Sequence, residues 1–192
     1  MLIVGNGESR KNISIDSILT CKIGCNAIIR DYHVDHLICV DRRMVEEAIN
    51  SKTHSIIYTR KDWINLYKEY KGIQTVPELP YIGNQRWDEP FQWGSGPYAV
   101  LLGASLCEKN KIDLIGFDLY SKQKTVNNIY KNTNGYDPSS KNAVDPSYWI
   151  YQISKVFEWF PKITFTIYQE NLWQLPNTWK KDNVLLDKIS NL

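Results

Sequence analysis

The stretch Met1-Leu2-Ile3-Val4-Gly5-Asn6-Gly7 decides how this chain is read. An apolar run with the character of a buried strand leads straight into a Gly-Asn-Gly turn. Glu8-Ser9-Arg10-Lys11 then opens a polar, helix-compatible segment. The fold is expected to begin at Met1 itself. In an open α/β sheet, ligands collect beyond the carboxyl ends of the strands. There glycines let the backbone approach a phosphate, and a following helix N-terminus aims free N–H groups at it. The turn is therefore a candidate nucleotide-phosphate site, although Gly-Xaa-Gly after a strand also serves as nothing more than a tight turn.

Outward from that strand, short apolar runs alternate with longer helix-like segments. Strands are expected at 1–4, 21–25, 37–41, 55–58, 112–117 and 163–168, and helices at 42–50, 61–70, 95–109 and 146–160. That alternation predicts an α/β fold: a doubly wound, mostly parallel, Rossmann-like sheet in a single domain over 1–192. Ser95-Gly96-Pro97 marks a helix start, since Ser can cap and Pro is tolerated in the first turn. The segment that follows, from Tyr98 to Leu106, is almost wholly apolar and should pack deeply on the sheet. Two stretches break the rhythm. Residues 75–93 carry Pro77, Pro80 and Pro90 with little periodicity, and 121–146 are rich in Asn, Ser, Lys and Tyr. A long aperiodic stretch inside a compact domain is more often a lid or binding loop than a spacer, so 121–146 is read as a lid.

Composition narrows the function classes. The chain has 192 residues, 43% of them hydrophobic, with a formal charge of +2, and its Lys and Arg are scattered, which argues against nucleic acid as a partner. No apolar run approaches the ~20 residues of a membrane span, and no signal peptide is apparent, so a cytoplasmic protein without a transmembrane segment is expected. Cys21, Cys25, Cys39 and Cys107 sit in or beside apolar runs and read as buried hydrophobes rather than disulfides. Cys21 and Cys25 have no second Cys/His pair to complete a zinc set, and His33, His36 and His54 follow no ligand spacing. No metal site and no cofactor is expected. The abundant aromatics either line a pocket or fill a core.

Four elements should meet at one edge of the sheet. They are Gly5-Asn6-Gly7, Gly24-Cys25-Asn26, Gly94-Ser95-Gly96 and Gly116-Phe117-Asp118-Leu119-Tyr120. A carboxamide such as Asn6 or Asn26 donates and accepts, which suits ribose hydroxyls and base edges. Ser95, with Gly96 and the first free N–H groups of its helix, suits a phosphate or carboxylate. Each has a plain structural alternative: Asn26 as a turn former, Ser95 as a cap, Asp118 as a strand-end cap. Their convergence favours a nucleotide site. Asp41 either holds a ribose or a metal, or caps the helix at Arg42.

The order Gly-Asn-Gly-Xaa-Ser from residue 5, Cys-Asn at 25–26, Ser-Gly at 95–96, Gly-Phe-Asp-Leu-Tyr at 116–120 and Ser-Lys-Asn at 140–142 resembles the bacterial sialyltransferases of glycosyltransferase family 42. The resemblance runs to about residue 170. It implies a Rossmann-like fold and a glycosyltransferase that uses a CMP-sugar donor without a metal. It places Asn6 and Asn26 on the nucleotide, Ser95 near the donor's phosphate or carboxylate, and Tyr120 on the departing phosphate. Taken with the converging strand ends, the expected nucleotide-binding set is Gly5, Asn6, Gly7, Ser9, Asn26, Ser95, Gly96 and Asp118.

Departures from that family bear on the chemistry. Its general-base histidine corresponds to Ser139 here, and its second phosphate-binding tyrosine to Val126, with Tyr130 and Tyr136 nearby as substitutes. Ser cannot take a proton at neutral pH without a base beside it, so Asp145 is the substitute base, with Arg86 a further polar group. The acceptor is not specified, and self-association into a homo-oligomer is left open. A more distant kinship, with proteins related to an archaeal pterin diphosphokinase, is similar at the N-terminus, at residues 24–30 and at Val40-Asp41. It implies magnesium and a triphosphate on Asp41 and Asp118. A non-catalytic nucleotide-binding protein is the third reading.

Overall fold

The computed structural model describes residues 1–121 and 124–192. Its strands are β1 (Leu2–Val4), β2 (Lys22–Cys25), β3 (His36–Ile38), β4 (Ile56–Thr59), β5 (Ile73–Thr75), β6 (Lys111–Ile115), β7 (Thr164–Gln169) and β8 (Val184–Lys188). They form one sheet of order β5-β4-β3-β2-β1-β6-β7-β8. Every neighbouring pair is parallel. The helices are α1 (Arg42–Asn50), α2 (Ser95–Leu106) and α3 (Ser147–Trp159).

Alternate side chains of a strand point to opposite faces, so apolar strands in the middle of a sheet feed two cores. Ile3, Ile23, Ile38, Leu114 and Ile167 join α2 and α3 on one face. Leu2, Val4, Leu37, Ile57 and Ile115 join α1 on the other. Helices on both faces of a parallel sheet make this a doubly wound, Rossmann-like α/β fold. Helix α2 is buried from Pro97 to Ala104, which explains its lack of a polar face. Gly103 lets it lie against β1, where a methyl would come within 2.5 Å of Ile3 Cδ1. Helix α1 is amphipathic, with Met44, Val45 and Ala48 turned to the sheet.

The structure departs from the sequence reading in two places. Residues 61–70 do not form a helix. Only a 3₁₀ turn, Ile64–Tyr67, exists there, with no buried residue and with Leu66 exposed. Strands β5 and β8 were not anticipated, and both lie at the edges of the sheet. In the span read as a lid, residues 121 and 124–146 are described, and hydrogen bonds tie the segment to the strand ends. Ile129 N–H donates to Asn6 O at 2.9 Å. Asn127 Oδ1 accepts from Glu8 N–H at 2.9 Å. The Arg30 guanidinium donates to Thr133 Oγ1 and to Asn134 O. Lys131 pairs with Glu8 at 2.7 Å. This strap lies along the carboxyl edge of the sheet. Among the described residues, no helix is long and apolar enough to cross a membrane.

Candidate functional site

Strand order reverses at the β1/β6 junction, the switch point where open α/β sheets take ligands. Two turns close on each other there. Gly5 N–H donates to Ile115 O at 2.8 Å and Gly7 N–H to Gly116 O at 2.9 Å. A methyl on Gly5 would lie 2.4 Å from Gly116 O, and Gly116 itself has φ +69°. A methyl on Gly7 would strike the Asp118 carboxylate. Contact between the two turns is therefore enough to require these glycines, with no need to invoke a ligand.

Asp118 and Ser9 are spent on the same junction. The buried Asp118 carboxylate accepts from Ser9 N–H at 2.9 Å, from Ser9 Oγ–H and from Gln169 Nε2 at 3.1 Å. The Trp173 indole N–H caps the Asp118 carbonyl at 2.6 Å. Behind the turn, the buried Arg10 donates through Nε to Gly5 O at 2.6 Å, and through Nη2 to Asn6 Oδ1 and Tyr130 OH. These bonds fix the orientation of the Asn6 amide, whose Nδ2 donates to Cys25 O at 3.1 Å.

Beyond the strand ends lies a cleft of about 750 Å³, in the upper part of the ~300–1,000 Å³ range typical of small-molecule sites. Its floor is Gly5-Asn6-Gly7, Cys25-Asn26, Val40-Asp41 and the Gly116–Leu119 turn, and one wall is Asn127, Asn128, Tyr136 and Asp137 of the strap. The opposite wall is aromatic, built from Trp87, Phe91 and Trp93 before α2 and Tyr148 and Trp149 in the first turn of α3.

The N-terminus of α2 opens into this cleft, with Gly94, Ser95 and Gly96 among its lining residues. Gly94 is the N-cap and supplies no side-chain cap. The Ser95 hydroxyl is committed elsewhere, donating to Asn26 Oδ1 at 2.9 Å and accepting from Val40 N–H at 3.2 Å. That leaves the Ser95 and Gly96 N–H groups of the first turn, which have no intrahelical acceptor, for an anion. Asn26 lies in the left-handed region at φ 50°, a conformation asparagine adopts readily in turns.

Tyr120, Tyr130, Ser139 and Asp145, all expected to act in catalysis, do not line the cleft. Tyr130 is buried against Arg10. Ser139 and Asp145 are exposed, and the Asp145 carboxylate caps Ser147 N–H at the start of α3. Tyr120 is 42% exposed and packs beside Trp173. The remaining nucleotide-binding candidates, Ser9 excepted, do line the cleft. Tyr136 lines it as well, its hydroxyl pushed up to about 12 by burial and therefore neutral. Cys25 in the floor is likewise pushed up to about 12 by burial and is no nucleophile.

Sequence reasoning left three features unassigned or undecided. Asp41 lines the cleft at the N-cap of α1 without making a capping bond. Arg86 lines the mouth and is exposed. The aromatic wall had a signal, the Trp and Tyr richness, but composition alone does not separate pocket from core. Among the described residues, no cluster of three or more His, Cys, Asp or Glu side chains is placed to hold a metal ion.

No family model matches the chain, and no curated protein or solved structure is significantly similar to it.

Proposed function

We propose that the cleft binds a nucleotide-sugar, with a CMP-sugar the preferred donor, and that the chain is a metal-independent, sialyltransferase-like glycosyltransferase. The observation that carries this reading is the uncapped N-terminus of α2, opening into a large cleft at the switch point between Asn6 and Asn26. The Ser95 and Gly96 N–H groups take the donor phosphate, and the helix dipole favours the charge that develops as the phosphate departs. The carboxamides of Asn6 and Asn26 flank the nucleoside.

In the transfer step an acceptor hydroxyl attacks the anomeric carbon, the bond from that carbon to the phosphate oxygen breaks, and the hydroxyl proton passes to a base. Asp41 is the cleft carboxylate suited to that role, since the other carboxylates there are engaged: Asp118 by Ser9 and Gln169, and Asp137 by Lys141 at 2.8 Å. Ser139 and Asp145 are replaced in this role because they stand outside the cleft.

The test is a thermal-shift screen of CMP, CDP, UDP, GDP and ATP, with and without magnesium. A ligand at 100 times its Kd contributes ~2.7 kcal/mol, which is roughly 5–10 °C for a chain of this size. A shift with CMP that needs no metal supports the proposal. A shift with ATP that needs magnesium supports the diphosphokinase reading instead, and no shift with any nucleotide refutes both.

A further inference from the structure

We infer that the aromatic wall of the cleft is an acceptor subsite, on which a pyranose ring stacks its apolar face against Trp87 and Phe91. The inference rests on the donor reading above and names the second substrate of the same site. Trp87 is 36% exposed and Phe91 52% exposed, although both belong to the cleft lining. Two large aromatics left open on a flexible loop would mean little. These two stand on a segment that buried side chains hold rigid.

The 3₁₀ turns that carry them, Arg86–Asp88 and Pro90–Gln92, are fixed from below. The fully buried Gln152 of α3 donates through Nε2 to Trp87 O at 3.3 Å and to Gln92 O at 3.2 Å. Tyr98 of α2 donates its hydroxyl to Pro90 O at 2.9 Å. Asp88, also buried, closes its own turn onto Gln85 N–H at 2.9 Å and accepts from Tyr151 OH at 2.8 Å. The Trp87 ring is braced in turn on Tyr151, with centroids 5.7 Å apart.

Further in, Tyr148 and Trp149 pack on each other at 4.7 Å, and Trp149 lies against the α2 N-cap, where a methyl on Gly94 would come within 2.9 Å of its Nε1. The wall thus runs from the mouth of the cleft to the phosphate position. A ring lying on it is adjacent to the sugar that a donor held at Ser95 and Gly96 would present. Rigid aromatics lose little entropy on binding. Their negative faces attract polarised C–H groups, which the flat side of a pyranose supplies and its hydroxyl rim does not. The Arg86 fork beside Trp87 offers paired donors to that rim.

The experiment uses the full chain, saturated with CMP or free of it, and titrates methyl β-galactoside, lactose and chitobiose by saturation-transfer NMR and tryptophan fluorescence. At least one saccharide should saturate. Trp87→Ala and Phe91→Ala should each weaken it about tenfold and leave the CMP thermal shift unchanged, while Trp87→Phe should restore most of the binding. Both side chains are partly exposed, so far-UV circular dichroism and Tm should stay near those of the parent. CMP binding with no saturable saccharide would overturn the inference and leave the donor reading standing. Saccharide binding lost in both alanine variants, in a protein that never binds CMP, would support the wall and sink the donor reading. Tenfold loss of CMP affinity in Trp87→Ala would overturn the inference, because the wall would then be stacking the base.

Discussion

Replacing Asp118 by Ala tests whether this carboxylate is a structural clamp or a ligand group. In the folded chain it receives three donors: the Ser9 amide, the Ser9 hydroxyl and the Gln169 amide, with Asp118 and Gln169 both buried. Each buried donor left without an acceptor costs ~1–3 kcal/mol. The Ser9 hydroxyl can rotate to another acceptor, so two donors are stranded and the expected loss is about 2–6 kcal/mol. That is a large part of the ~5–15 kcal/mol a domain has in total. Asp118→Asn keeps the shape and one accepting oxygen but turns an NH₂ towards a donor, and should cost roughly half as much. Urea unfolding followed by tryptophan fluorescence reads this as a lower midpoint with an unchanged m-value. A loss below about 1 kcal/mol in Asp118→Ala, together with abolished CMP binding, would refute the clamp and make Asp118 a ligand-contacting group.

The glycines separate in the same assay. Gly5→Ala pushes a methyl into the Gly116 carbonyl and should cost at least about 2–3 kcal/mol. Gly96→Ala meets only Phe117 Cε1 at 3.6 Å and should leave stability unchanged or raise it by up to ~1 kcal/mol. Asp41→Asn should lower sugar transfer by about two orders of magnitude or more at nearly constant CMP affinity, and full turnover in that variant would exclude it as the base. Burial raises the Asp88 pKa, but hydrogen bonds from Gln85 N–H and Tyr151 OH outweigh it and hold the value below 3.8. Its contribution to stability is therefore complete above pH ~4 and is lost as pH falls through the lowered value. Acid titration of Asp88→Asn should show a shallower loss of stability below pH 4 than the parent, and parallel curves would contradict this.

Central strands were legible because burial on both faces writes nearly continuous apolar runs, as in Met1-Leu2-Ile3-Val4 and in Ile112-Asp113-Leu114-Ile115, broken only by the half-buried Asp113. Edge strands carry a weaker mark. In β5 Gln74 and Thr75 are exposed, and in β8 both Leu185 and Leu186 are, so neither shows a clean alternation. The segment 61–70 has helix-forming residues but no buried stripe to hold them, and tertiary packing decides such cases. In the site, Asn6, Asn26 and Gly96 were legible because strand ends and helix starts are local features. Tyr130 was not, since its burial depends on Arg10, 120 residues away. Asp41 was readable only as an alternative, because the cap it fails to make is a matter of geometry and not of residue type.

The clamp between Ser9 and Asp118 joins residues 109 apart. Loop closure on that scale is paid late in folding, after local helices and hairpin-like contacts, and all-parallel sheets are slow for this reason. The floor of the cleft does not exist until β6 has docked beside β1, whatever α1 or α2 have already done. A nascent chain that stops before Lys111 lacks half of the switch point and has no pocket to offer. The cleft is thus complete only once β1 and β6 are paired, and a ligand that fits it would stabilise the finished sheet.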